Sequence, residues 1–113
     1  MVLSNKAKNA MLQGLADTLN EGANSTLSIY VDSTLAVELT LTNPVELDIT
    51  AGVLTFKTPP EAIAVASGVP TSAKMLDASG ALIADYAAAE IALNKDKIYQ
   101  GGYVGILSLK VRV

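Results

Sequence analysis

The chain has 113 residues, half of them apolar and 17% charged, with a net charge of −3; this is enough for one hydrophobic core, too short for two, and too apolar for a disordered chain. Cysteine, histidine and tryptophan are absent, which excludes disulfides, thiolate nucleophiles and cysteine zinc sites and removes the usual general base and metal ligand. Eight basic residues without a basic run give no footprint for a nucleic-acid backbone, and no apolar stretch approaches the ~20 residues of a membrane span.

Residues 4–20, SNKAKNAMLQGLADTLN, carry the one helical pattern. Ser4 or Asn5 can cap it. Ala7, Met11, Leu15 and Leu19 recur every four residues, with Ala10 and Thr18 beside them, while Lys6, Lys8, Asn9, Gln13 and Asp17 take the other side. Gly14 inside the helix costs roughly 1 kcal/mol against alanine, a cost explained if the backbone there lies against a sheet. Asn20 and Gly22 supply the stop. With no uninterrupted apolar stretch in MVLSNKAKNAML, the chain is expected to be made and kept in a cytoplasm.

After Ser25 the period changes to two. Leu27, Ile29 and Val31 share one strand face. Leu35, Val37, Leu39 and Leu41 alternate with Ala36, Glu38 and Thr40. Val45, Leu47 and Ile49 alternate with Glu46 and Asp48. Thr50-Ala51-Gly52 suits a hairpin into VLTFK, and Pro59-Pro60 marks a corner. EAIAVASG makes another short strand.

TSAKML and ALIADYA are strand-like arms around Asp77-Ala78-Ser79-Gly80, and EIALN and KIYQ are short candidates. The segment YVGILSLKVRV closes the chain, with Leu107, Leu109, Val111 and Val113 opposing Ser108, Lys110 and Arg112. Eight to ten short strands after one helix predict a mainly β fold, a single β-sandwich or jelly-roll-like domain with antiparallel sheets: residues 1–22 helix and linker, residues 23–113 the β body. No regular βαβ alternation supports a doubly wound fold.

The candidate chemical residues fit structural roles. An aspartic-protease motif needs Asp-Ser/Thr-Gly contiguous and in two copies, whereas Ala78 splits it here. Asp77, Ser79 and Gly80 fit a turn. A serine nucleophile without histidine would need lysine, and no Ser-x-x-Lys spacing occurs. Glu38, Glu46 and Asp48 are expected on outward strand faces, where charge keeps a sheet soluble. Asp96 with Asp85 or Glu90 is a weak oxygen-ligand set without calcium-loop spacing. Gly101-Gly102 precedes a strand and lacks the frame of a phosphate loop. No catalytic, metal or cofactor-binding residue is therefore assigned, and an enzyme is not expected. Tyr30, Tyr86, Tyr99 and Tyr103 can either anchor a protein interface or sit at a core or edge. The high apolar share of so small a chain points either to a surface that meets another subunit, the reading favoured here, or to alanine methyls in a tight core.

The order NAML..LAD.L, LSIYVDS, AVASGVPTSAKMLDASGALIAD and GGYVGILSLKVRV resembles a family of small bacteriophage virion proteins encoded among head and neck genes. Ile29-Tyr30, Ala66-Ser67-Gly68, and Leu76-Asp77 with Gly80 carry the resemblance, although Lys74 stands where many members have arginine and residues 42–60 are poorer in glycine and aromatics. The resemblance implies a virion role and transfers no catalytic residue. The leading expectation is a capsid decoration or cement protein, a homo-oligomer on the particle surface that bridges major capsid or other virion subunits. Lys6, Lys8, Tyr99 and Tyr103 are the candidate contacts. Alternatives are a tail, neck or fibre-base component, or a small carbohydrate-binding module. The module is disfavoured by the shortage of aromatic platforms.

Overall fold

A computed structural model describes residues 2–113. The fold is mainly β, with one N-terminal helix, antiparallel sheets and a β-sandwich-like arrangement. Helix α1 (Asn5–Asn20) begins where the Ser4 hydroxyl accepts the Ala7 N–H, relieving one of the unpaired donors of its first turn. The strands follow as β1 (Thr26–Val31), β2 (Thr34–Thr40), β3 (Glu46–Thr50), β4 (Val53–Phe56), β5 (Ala62–Ile63), β6 (Ser72–Leu76) and β7 (Leu82–Ala87). A 3-10 turn at Ala88–Glu90 precedes β8 (Ala92–Leu93), β9 (Tyr103–Val104), β10 (Ile106–Ser108) and β11 (Lys110–Arg112).

The largest sheet runs β2-β1-β6-β7 and a second runs β11-β4-β3, with two-stranded pieces β10-β8 and β5-β9. The expected alternation places Leu27, Ile29, Val37 and Leu39 in the core, and Ala73 and Met75 join them from β6. The same cluster takes in Leu54 and Phe56 of β4. Burying a side chain such as Leu27 contributes roughly 1.5–3 kcal/mol. In β2 the register shifts opposite Ile29/Tyr30. Ala36, expected beside the polar residues, is therefore buried next to Val37. The Ala36 carbonyl accepts the Val65 N–H at 2.7 Å.

The helix buries a face rotated from the one its spacing predicts, with Leu19 buried and Leu15 packed on the core as expected. Leu12, Ala16 and Leu19 are buried, whereas Met11 is 54% exposed and Ala10 also faces solvent. The helix packs against β3 and β4, and that contact selects the buried stripe. Lys8 and Asn9, expected on the outer side, are half-buried over the β3–β4 turn. There the Asn9 side-chain carbonyl accepts the Gly52 N–H at 2.9 Å. At the last helical residue, the Asn20 side chain accepts the Val45 N–H and donates to Glu46, and beyond the helix the buried Ser25 hydroxyl donates to the Leu19 carbonyl at 2.6 Å. The Ser25 bond satisfies a helix-terminal carbonyl, and the Asn20 side chain ties the helix end to the start of β3.

Gly14 does not lie against a sheet. It is exposed, and a Cβ there would meet nothing within 4 Å. Gly14→Ala is therefore expected to stabilise the chain by about 0.4–1 kcal/mol, because it removes freedom from the unfolded state without strain. Urea unfolding checks this through the midpoint.

Two further departures have local causes. The register shifts between Glu46 and Asp48, so Leu47, expected inward, is turned out and 67% exposed. A bulge re-aims side chains in this way. The closing segment is not one strand: β9 pairs with β5, β10 with β8 and β11 with β4. Its alternation breaks accordingly. Ile106 and Leu109 are buried, while Leu107 and Val113 are exposed. Ala51 and Gly52 both have positive φ, at 51° and 77°, as a two-residue hairpin turn of matching twist requires.

Candidate interaction surface

The residues with chemical potential are held in structural tasks. Asp77 accepts from the Ser79 N–H, the Ser79 hydroxyl and the Ala81 N–H at 3.0, 2.7 and 2.9 Å. Gly80, at φ 87°, closes the hairpin. All three donors lie within four residues, so this is the turn the sequence predicts. The Ser79 hydroxyl first, with backbone N–H groups after it, holds the Asp77 carboxyl below its ordinary 3.8.

A pH dependence follows from that direction. The folded pKa lies below the unfolded one, so the stabilising contribution is complete above the unfolded value and is lost as pH falls through the folded value. Asp77→Asn is expected to flatten the stability profile below about pH 4, near the unfolded carboxyl's range. Unfolding midpoints of both proteins between neutral and acid pH check this.

The acids do not converge. Asp85 and Glu90 line one cleft and Asp96 another, and no group of three or more potential metal ligands gathers among the described residues. Glu38 and Asp48 are exposed, as expected for sheet surfaces, whereas Glu46 is half-buried against Asn20. Tyr86 is buried, with its hydroxyl on the Lys110 carbonyl. Burial, then the Glu90 carboxylate, raises its pKa, so the hydroxyl remains a donor at neutral pH.

What the fold does assemble is an exposed apolar surface on β5 and β9. Ile63 pairs directly with Tyr103, and the two are 54% and 58% exposed. Residues directly opposite on paired strands share a face. Val65, two residues beyond Ile63, is 62% exposed, while Ala64 between them is buried. The pairing is fixed by Ala64 N–H to the Gly102 carbonyl and Gly101 N–H to the Ala64 carbonyl, both at 2.9 Å. Tyr99 lies in the turn leading into β9, and the Lys97 ammonium sits 5.4 Å from its ring centre. Two aromatic rings and two branched aliphatics exposed along one short stretch are suited to protein contact, where tyrosine buries area while keeping a polar tip.

Among the four candidate contacts, Tyr103 belongs to this surface and Tyr99 is exposed in the turn just before it. Lys6 and Lys8 ride on α1 instead. Lys6 is exposed, but the Lys8 stem covers the β3–β4 turn, so closely that a Cβ on Gly52 would meet its Cδ at 2.8 Å. Its role there is packing of an aliphatic stem. Ile63 and Val65 were not among the expected contact residues, because AIAV reads as an ordinary half-buried strand. The signal was present in the alternation of alanine with a larger residue, which here puts the alanines inward.

No family model, curated protein or solved structure matches the chain.

Proposed function

We propose that the chain is a non-enzymatic structural protein of a bacteriophage particle, a decoration protein that stabilises the head by bridging capsid subunits. The exposed group Ile63, Val65, Tyr99 and Tyr103 carries the reading, because large apolar side chains gathered at a surface mark a site for protein association. The resemblance at Ile29-Tyr30, Ala66-Ser67-Gly68, and Leu76-Asp77 with Gly80 supports the virion context. Each contact is modest, but a protein that binds only the assembled shell stabilises it by linkage, and repetition multiplies the effect.

Co-sedimentation with capsids lacking the chain tests the proposal. Wild-type protein is expected to pellet with the shell and raise its melting temperature. Ile63→Glu is expected to weaken association by about tenfold or more, since a charge replaces an apolar side chain that the contact would bury, with its own unfolding midpoint nearly unchanged because Ile63 is exposed in the free chain. A wild-type chain that stays in the supernatant and leaves capsid melting unaltered would refute the reading. Binding confined to tails or necks would move the chain to those parts.

A further inference from the structure

Two sheets end on strands that face each other across a cleft of about 440 Å³. Among the described residues, strand β7 pairs only with β6, and β11 only with β4. The walls include three consecutive residues of each strand, Ala84, Asp85 and Tyr86 against Lys110, Val111 and Arg112. Consecutive side chains point to opposite faces, so a wall made of three in a row is a strand edge rather than a strand face.

The backbone bonds show which groups this edge presents. Phe56 N–H donates to the Leu109 carbonyl and Val113 N–H to the Gly52 carbonyl, so residues 109, 111 and 113 turn toward β4. By alternation, Lys110 and Arg112 direct their N–H and carbonyl groups into the cleft. The Tyr86 hydroxyl reaches the Lys110 carbonyl there at 3.4 Å. On β7, the Ala87 N–H turns away from β6 to the Glu90 carboxylate at 2.9 Å. Asp85, two residues earlier, therefore presents its backbone on that same side.

We propose that the cleft between β7 and β11 is a strand-addition slot that takes an extended segment of a partner protein. The segment would pair with Asp85 on one side and with Lys110 and Arg112 on the other, joining the two sheets. Unpaired strand edges are templates for such pairing, and main-chain bonds supply the affinity. The walls also define the side chains. Inward positions meet Tyr86 and Val111 and are apolar. Outward positions lie between acidic Asp85 and Glu90 and basic Lys110 and Arg112, so they carry a base toward the first pair and an acid toward the second. The slot deepens the structural reading by naming how a shell subunit is gripped, and it rests on that reading only for the partner's identity.

The test uses the full chain and three synthetic ten-residue peptides. Each alternates valine with threonine, lysine and glutamate, and they differ in where the charges fall. Amide hydrogen exchange followed by NMR is the readout. At least one peptide is expected to slow exchange at Asp85 and Arg112 by about tenfold or more. Tyr86 and Val111, already facing their own ladders, should change little. Methylating alternate peptide nitrogens should abolish the protection. If all three peptides leave Asp85 and Arg112 unchanged, or protect another edge such as β2, the slot is refuted. A chain that gives this result yet pellets with capsids loses the slot and keeps its structural role. Protection without capsid binding supports the slot and removes the role.

Discussion

Gly68→Ala is expected to destabilise the chain by about 2–4 kcal/mol. Gly68 adopts φ 145°, a conformation open essentially to glycine alone. Its backbone cannot easily relax, because its N–H donates to the Ile98 carbonyl at 2.9 Å and its carbonyl accepts the Ile98 N–H at 2.8 Å. A Cβ would also meet Val31 Cγ1 at 2.6 Å and Cγ2 at 3.2 Å. The two costs can be separated. In a Val31→Ala background the clash is relieved while the dihedral strain persists, so the double mutant should recover part of the loss and not all of it. Urea unfolding of the four proteins supplies the cycle. A single-mutant loss below about 1 kcal/mol would mean that the segment around Gly68 shifts freely.

Leu12→Ala carries the second large effect, a loss of about 2–5 kcal/mol, with Met11→Ala near neutral within about 0.5 kcal/mol. Leu12 is 1% exposed and belongs to the cluster that includes Ala16, Leu19 and Leu54. Truncating it removes apolar contact and leaves a void bordered by the helix and the sheet. Met11, on the adjacent face, loses little that water does not already reach. The pair is a direct test of helix rotation, because the spacing of Ala7, Met11 and Leu15 predicts the reverse order. Equal losses at the two positions would contradict the packing of α1 on β3 and β4.

The strand face of VEL was legible because large side chains alternate with an exposed Glu38, and a sheet with one buried face turns that alternation directly into burial. In LSI the two large side chains were legible as core, but Ser28 between them is buried as well. The Asp77–Gly80 turn was legible because its hydrogen bonds are local. The helix face was ambiguous: alanines at positions 7, 10 and 16 contribute little to either side, so one leucine decides the stripe. The bulge at Leu47 and the three partners of the closing segment depend on register between distant strands, which no local pattern encodes. The same holds for the surface and the slot. Ile63 meets Tyr103 and Tyr86 meets Lys110 only after the sheets are assembled. What could be read from composition was the excess of apolar residues for so small a chain, now placed in part at Ile63, Val65, Tyr99 and Tyr103.

Cryo-electron microscopy of phage particles purified from cultures that express the chain is the decisive measurement for the proposed head role. A decoration protein is expected to give repeated density over the head that fits this β body, with the Ile63–Tyr103 face turned into contact with shell subunits. Particles that contain no copy of the chain would contradict that role, as would copies whose Ile63 and Tyr103 point into solvent.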